Sequence, residues 1–209
     1  MNKSKLIILG CIFILMLASS VFAADGVYIS GNIGLTILND SDLTSSAAPG
    51  VTVETEFDAG LDVYGAMGFV VGQARIELEL AYRINDIDSF TSGVTVSGGG
   101  EVSALSGLVN AFYDIKTDSK ITPYIGGGLG VAYVEIDNLL LSFNGITIPG
   151  NEDDTVFAYQ VGGGIAYAIN DKMTADLGYR YFATEDPDFD GLEAEYDSHN
   201  ITIGIRFAL

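Results

Sequence analysis

Residues 75–84, Arg75-Ile76-Glu77-Leu78-Glu79-Leu80-Ala81-Tyr82-Arg83-Ile84, alternate without a break. Arg75, Glu77, Glu79, Ala81 and Arg83 form one row; Ile76, Leu78, Leu80, Tyr82 and Ile84 form the other. Period 2 is the mark of a strand, because successive side chains point to opposite faces. The same pattern returns at 200–209, where Asn200, Thr202, Gly204 and Arg206 oppose Ile201, Ile203, Ile205 and Phe207. It returns again near 174–183, with Thr174, Asp176, Gly178 and Arg180 against Ala175, Leu177, Tyr179 and Tyr181.

Five further segments, at about 26–38, 57–71, 103–115, 121–136 and 155–169, bring the expected strands to eight. An even number is what an up-and-down barrel needs to close. The connections alternate in length: short near 72–74, 116–120 and 170–172, long near 39–56, 85–101, 137–154 and 184–197. Short turns at one end and long loops at the other are the habit of barrels that cross an outer membrane. The fold class expected is therefore all-β, an eight-stranded antiparallel up-and-down transmembrane β-barrel. It should occupy residues 24–209 as one domain.

Residues 1–23 are read as a secretory signal peptide. Lys3 and Lys5 precede an apolar run from Leu6 to Leu17, and Val21-Phe22-Ala23 supplies a cleavage site. The run is too short to span a bilayer as a helix. Ile8-Leu9-Gly10-Cys11 faintly resembles a lipoprotein box, but the apolar run continues past Cys11. Removal of this segment takes the one Cys of the chain with it, so no disulfide framework or Cys-based zinc site is expected.

The whole chain carries 9 Lys+Arg against 28 Asp+Glu. That imbalance argues against nucleic-acid partners, which need basic patches to meet phosphates. The four long connections hold eighteen carboxylates and no Lys or Arg. Lys116, Lys120 and Lys172 sit in the short turns, and the four Arg of the mature chain sit in strands. Within strands the charges are assigned to one row: Asp58, Asp62, Glu77, Glu79, Asp114, Glu135, Asp176 and the arginines.

A sheet with one apolar row must cover it. A soluble lipocalin-type barrel turns that row inward; a membrane barrel turns it toward lipid and the charges inside. Three features favour the membrane. No strand carries the Lys that guards exposed soluble strands. Arg and carboxylates sharing a row suit a dry lumen where guanidinium forks pair with them. Tyr82, Tyr113, Tyr124, Tyr167, Tyr179 and Tyr181 suit interfacial girdles in a chain without Trp.

Six stretches resemble the small eight-stranded outer-membrane barrels of Gram-negative bacteria, the OmpA-like and opacity-type porin-family or surface-antigen proteins. They are Phe57-Asp58-Ala59-Gly60, residues 75–83, Asn110-Ala111-Phe112-Tyr113-Asp114, Thr122-Pro123-Tyr124-Ile125-Gly126-Gly127-Gly128, Gly178-Tyr179-Arg180-Tyr181 and the closing segment 198–207. The resemblance implies residence in the cell outer membrane, contact with its lipids and lipopolysaccharide, and insertion by barrel-assembly machinery. The family usually ends on Phe or Trp, whereas this chain ends Phe207-Ala208-Leu209, which implies less efficient recognition by that machinery. No peptidoglycan-binding segment follows the barrel, so tethering to the cell wall by that route is not expected.

Candidate chemistry is sparse. His199 falls on the apolar row beside Ile201, and Ser198 precedes it, so in a strand the two point apart and cannot pair as base and nucleophile. Glu77 and Glu79 lie between Arg75 and Arg83, which reads as a salt-bridge network rather than paired acid-base catalysis. Asp186-Pro187-Asp188-Phe189-Asp190-Gly191 fits the start of a calcium loop with Asp197 at position 12, but the usual Glu is missing there and strands flank it. Gly126-Gly127-Gly128 and Gly162-Gly163-Gly164 open no helix and cradle no phosphate. No catalytic, cofactor-binding or metal residue is assigned, and calcium binding by Asp186, Asp188, Asp190 and Asp197 is left open.

The function expected is structural or surface-interacting: envelope integrity, adhesion or antigen display through acidic loops that meet an extracellular ligand or host surface. The alternative is a narrow, cation-favouring pore. A lipid-modifying enzyme ranks third.

Overall fold

Alternating segments can satisfy their backbone groups inside a membrane only by pairing until the sheet closes. Eight long strands do so: β1 (Val27–Leu38), β2 (Gly60–Val71), β3 (Ala74–Ser92), β4 (Gly98–Asp114), β5 (Ile121–Phe143), β6 (Ile146–Ala168), β7 (Met173–Thr184) and β8 (Asp197–Ala208). Each pairs antiparallel with its chain neighbours, and β8 returns to pair with β1. The structure, a computed structural model, describes residues 26–39, 58–86, 100–137, 152–187 and 195–209 in full. It describes the backbone alone at 41–45, 52–57, 87–92, 94–96, 98–99, 138–143, 146–151, 188–189 and 192–193. Residues 1–23, expected from sequence to be a signal peptide, and Asp190 lie outside the described residues.

Register sets the bore. Passing between directly opposed residues leads from Val27 through Phe69, Ile76, Ala111, Gly127, Val161, Tyr181 and His199 back to β1 at Ile37, ten residues further along. That stagger over eight strands tilts them by about 40° from the barrel axis. An eight-stranded barrel of this kind has an interior only wide enough for side chains.

The two rows separate as alternation requires. Ile33, Leu35, Leu61, Val63, Leu78, Val109, Leu129, Val131, Val161, Leu177, Ile201 and Ile203 are exposed on the outer wall, while Arg75, Glu77, Glu79, Arg83, Asn110, Gln160 and Arg180 are buried in the lumen. Burying ions and exposing aliphatics inverts the order of a water-soluble protein; it is the order of a barrel facing acyl chains. Tyr113, Tyr167 and Phe207 stand on the outer wall near the end with the short turns, and Tyr82 and Tyr181 near the other.

Local chemistry makes the turns. Gly72, at φ +67°, begins the two-residue Gly72-Gln73 link that closes β2 onto β3, and such links require positive φ. At β6–β7, Asn170 Oδ1 accepts from the N–H groups of Lys172 and Met173, both at 2.9 Å.

Three strand assignments from sequence need correction. Asp58 lies exposed in the link before β2, not in the lumen row. Tyr124 points inward and is buried, so it belongs to no girdle. Glu135 shares the outward row of β5 with Tyr133, because Val134 and Ala132 take the lumen. The last two errors share a cause: residues 125–134 carry no charge, so both rows of β5 read as apolar. Three expected loops are also largely strand: Ser41–Ser45 pairs with Thr52–Phe57, β3 and β4 pair up to Ile87 and Gly100, and β5 and β6 pair up to Phe143 and Ile146. Backbone ladders continue past the bilayer even where side chains no longer face two solvents.

Glycines in this wall fall into two kinds. A Cβ at Gly34 would overlap the carbonyl oxygen of Ile201, whereas at Gly107 it would meet nothing within 4 Å. Gly34→Ala is expected to lower the urea midpoint of unfolding in detergent by an amount equivalent to about 1–3 kcal/mol, the range for overpacking. Gly107→Ala should leave the midpoint unchanged or raise it, since an interior strand glycine gives no packing and costs entropy.

Candidate functional site

The lumen is built in tiers. At the foot, Arg75 Nε donates to Asp114 Oδ1 at 2.9 Å, and its Nη1 donates to Glu77 Oε1 at 2.6 Å. Tyr28 OH donates to the same Glu77 oxygen at 2.5 Å. Across the floor Tyr124 OH donates to Asp176 Oδ1 at 2.5 Å, and Arg206 pairs with the other Asp176 oxygen. The guanidinium of Arg75 lies 4.8 Å from the Phe112 ring centroid and 4.9 Å from that of Tyr124, so its faces are covered by rings while its edge is covered by carboxylates.

One tier higher, Glu79 collects three donors. Arg180 Nη1 reaches Oε2 at 2.5 Å, Asn110 Nδ2 reaches the same oxygen at 2.9 Å, and Gln160 Nε2 reaches Oε1 at 3.2 Å. Gln160 Nε2 also donates to Asn110 Oδ1 at 2.7 Å, which joins β3, β4, β6 and β7 across the bore. Above it Arg83 and Asp62, both 0% exposed, stand 3.8 Å apart, an ion pair without a hydrogen bond. Arg83 Nη1 instead donates to Ser106 Oγ at 3.1 Å, and its guanidinium sits 4.0 Å from the Phe182 ring centroid.

The top of the lumen is apolar. Leu38, Val102, Ala104, Leu108, Ala132, Val134, Val156, Ala158, Phe182 and Tyr196 pack into one buried cluster there. Nothing in the sequence marks this plug, since one to three of these residues come from each of six strands or their ends. Between foot and middle, a cavity of about 10 Å³ touches Arg75, Glu77, Tyr124, Asp176, Arg180 and Arg206; that is room for about one water. The charged row of the sequence thus becomes a network that fills the bore below a hydrophobic stopper.

Outside the lumen, carboxylates crowd the rim on the long-loop side. Asp86 opposes Glu101, Glu101 opposes Asp137, and Glu135 opposes Asp153. Like charges directly across a ladder oppose pairing, so this rim is held by the barrel beneath it. Among the described residues, no group of three or more His, Cys, Asp or Glu side chains could hold a metal ion.

The remaining sequence candidates fall apart in space. His199 does stand on the outer wall, where its Nδ1 shares a 2.7 Å hydrogen bond with Tyr179 OH and its ring stacks on Tyr179. Ser198 is fully buried in the lumen and its Oγ accepts from Asn200 Nδ2 at 3.1 Å. Of the calcium motif, Asp186 is exposed, the Asp188 side chain and Asp190 lie outside the described residues, and Asp197 accepts from Asn39 Nδ2 at 2.5 Å.

This architecture has relatives. Outer membrane protein PagN of Salmonella typhimurium is 28% identical over 193 residues, covering 82% of this chain and 80% of PagN. A putative adhesin, RP828, of Rickettsia prowazekii is 22% identical over 228 residues, covering 98% and 99% of the two chains. Among solved structures, Neisserial surface protein A shares the fold at a TM-score of 0.55, with 18% identity, covering 88% of this chain and 98% of that one. The family described as "Outer membrane protein beta-barrel domain" matches residues 9–207. Inverted burial, a closed eight-strand register and that match agree: the chain belongs to the outer membrane protein β-barrel family and resides in the outer membrane of a Gram-negative bacterium.

Proposed function

We propose that this protein is a surface-interaction barrel whose working part is its loop face, serving adhesion, antigen display or envelope structure. The observation that carries the reading is the filled bore: ion pairs below and an apolar cluster above leave no described path for solute. What can vary and meet a partner is the face where the long connections emerge. That face holds eighteen carboxylates and no Lys or Arg, so the partner it suits carries positive charge, such as a basic protein surface. The similarity to RP828, a putative adhesin of Rickettsia prowazekii, supports the same reading.

Binding is favoured over catalysis because Ser198 and His199 point to opposite sides of the wall and the His199 Nδ1 is already engaged. The proposal includes export through a cleaved segment 1–23, lipopolysaccharide around the outer wall, and handling of β8 by the barrel-assembly machinery.

Cells displaying the chain should adhere to a surface coated with a basic protein several-fold better than cells displaying a variant with Glu185, Asp186, Asp188, Asp190, Glu193 and Glu195 changed to their amides. Heat-dependent gel mobility should be the same for both, showing equal folding. Refolded protein in planar bilayers should be silent. Equal adhesion of the two strains would remove the loop reading, and reproducible single-channel steps would favour the pore.

A further inference from the structure

We propose that the outer wall of β1–β4 holds a specific site for one acyl chain of a glycerophospholipid with an anionic headgroup, drawn from the periplasmic leaflet. The proposal rests on a recess of about 300 Å³ whose apolar side chains are Val27, Met67, Phe69, Ile76, Leu78 and Val109, with Gly68 and Glu77 of the alternate row also at its wall. All six belong to the outward rows. The recess begins beside Val27 and Phe69, next to the Gly72-Gln73 turn, and rises toward Leu78 and Val109. It therefore occupies the half of the apolar belt that meets the periplasmic leaflet, about one leaflet deep.

Two glycines flank it without an internal reason to be glycine. At Gly31 and at Gly107 an added Cβ would meet nothing, whereas at Gly34, Gly126, Gly130 and Gly162 it would strike neighbouring backbone. Gly31 opposes Gly65 on β2, and both Gly65 and Gly107 oppose Leu80, so bare backbone continues the recess on either side of Leu80. Such bare wall lets a chain approach closely and gain dispersion contacts that a bulky wall would refuse.

Charge selects the lipid. Every lysine of the described residues lies at this end, in the turns at Lys116, Lys120 and Lys172. Lys116 and Lys120, with Asp118 between them, follow β4 directly. Beside the foot of the recess Gln73 Nε2 donates to Tyr113 OH at 2.9 Å, an amide–phenol pair at headgroup depth. The turns at this end carry Lys116, Lys120 and Lys172 with Asp118 and Asp171, whereas the long connections at the opposite rim carry carboxylates and no Lys or Arg, so an anionic headgroup is repelled less here than there. A lipid of the periplasmic leaflet is the occupant this polarity admits.

The chain contains no Trp, so a single introduced Trp reports its lipid neighbours without background. Leu80→Trp places a reporter above the recess, and Val161→Trp places one at similar depth on β6. In vesicles of phosphatidylcholine containing brominated phosphatidylglycerol, quenching at Leu80→Trp should show an association constant at least threefold above that at Val161→Trp. Gly107→Leu covers the bare wall beside the recess where nothing stands in the way, so it should fold normally and abolish the difference; Lys116→Gln should reduce it. Equal quenching at the two reporters overturns the site. So does protection of Leu80→Trp from quenching together with loss of a dimer on Gly107→Leu, which would assign the recess to a second copy of the chain.

Discussion

Arg180→Met should lower the stability of the folded barrel by about 3–5 kcal/mol, the cost of leaving a buried charge without its partner. Glu79 is 2% exposed and its side chain is wholly shielded, so its carboxylate cannot turn to water once Arg180 is gone. The amides of Asn110 and Gln160 still donate to it, yet two neutral donors do not replace a guanidinium at 2.5 Å. The double variant Glu79→Leu/Arg180→Met removes both charges and leaves Gln160 and Asn110 bonded to each other. It should recover most of the loss, so the summed costs of the two single variants should far exceed the cost of the double. Urea midpoints of the four proteins in one detergent supply the cycle. A loss below about 1 kcal/mol for the single variant would mean that water reaches Glu79, and the bore would then have to be read as open.

The second large effect concerns the outside of the wall. Ile203 is 61% exposed, and in a water-soluble protein a polar replacement at such a site changes stability by about 0.5 kcal/mol or less. Here Ile203→Arg should cost about 2–4 kcal/mol, because β8 carries it near the middle of the apolar belt. Phe207→Arg lies two alternate positions nearer the periplasmic end on the same row and should cost about 0–1 kcal/mol. Unfolding from phospholipid vesicles gives both numbers. A flat profile along β8 would contradict a bilayer around this wall, since the gradient comes from the depth of hydrocarbon and from nothing in the protein.

The two experiments probe opposite rows of one alternation, and that alternation was readable from residues 75–84 alone. It could be read because residues 75–84 set Arg and Glu on one row, interrupted only by Ala81, against large apolar side chains on the other. β7 and β8 were legible for the same reason, and alternation alone puts His199 on the outer row. β5 was not legible: from Ile125 to Val134 both rows are small or aliphatic, so hydropathy carries no phase information there. Only the pairing of β5 with β4 and β6 turned Tyr124 inward and Glu135 outward. The reach of the hairpins beyond the membrane was hidden too, because a ladder of backbone hydrogen bonds needs no two-sided side-chain pattern.

Period, charge segregation and loop asymmetry were local properties, and they were enough to specify an eight-stranded barrel with ions inside, lipid outside and an acidic face. Partner choice within the lumen was not local. Glu79 meets Arg180 across about a hundred residues of chain, and the plug gathers Leu38, Val102, Val134, Val156, Phe182 and Tyr196 from distant strands. Those meetings depend on the ten-residue stagger, which is a sum over eight separate registers. No stretch of sequence contains such a sum, so the tiers of the bore and the stopper above them arise only when the sheet closes.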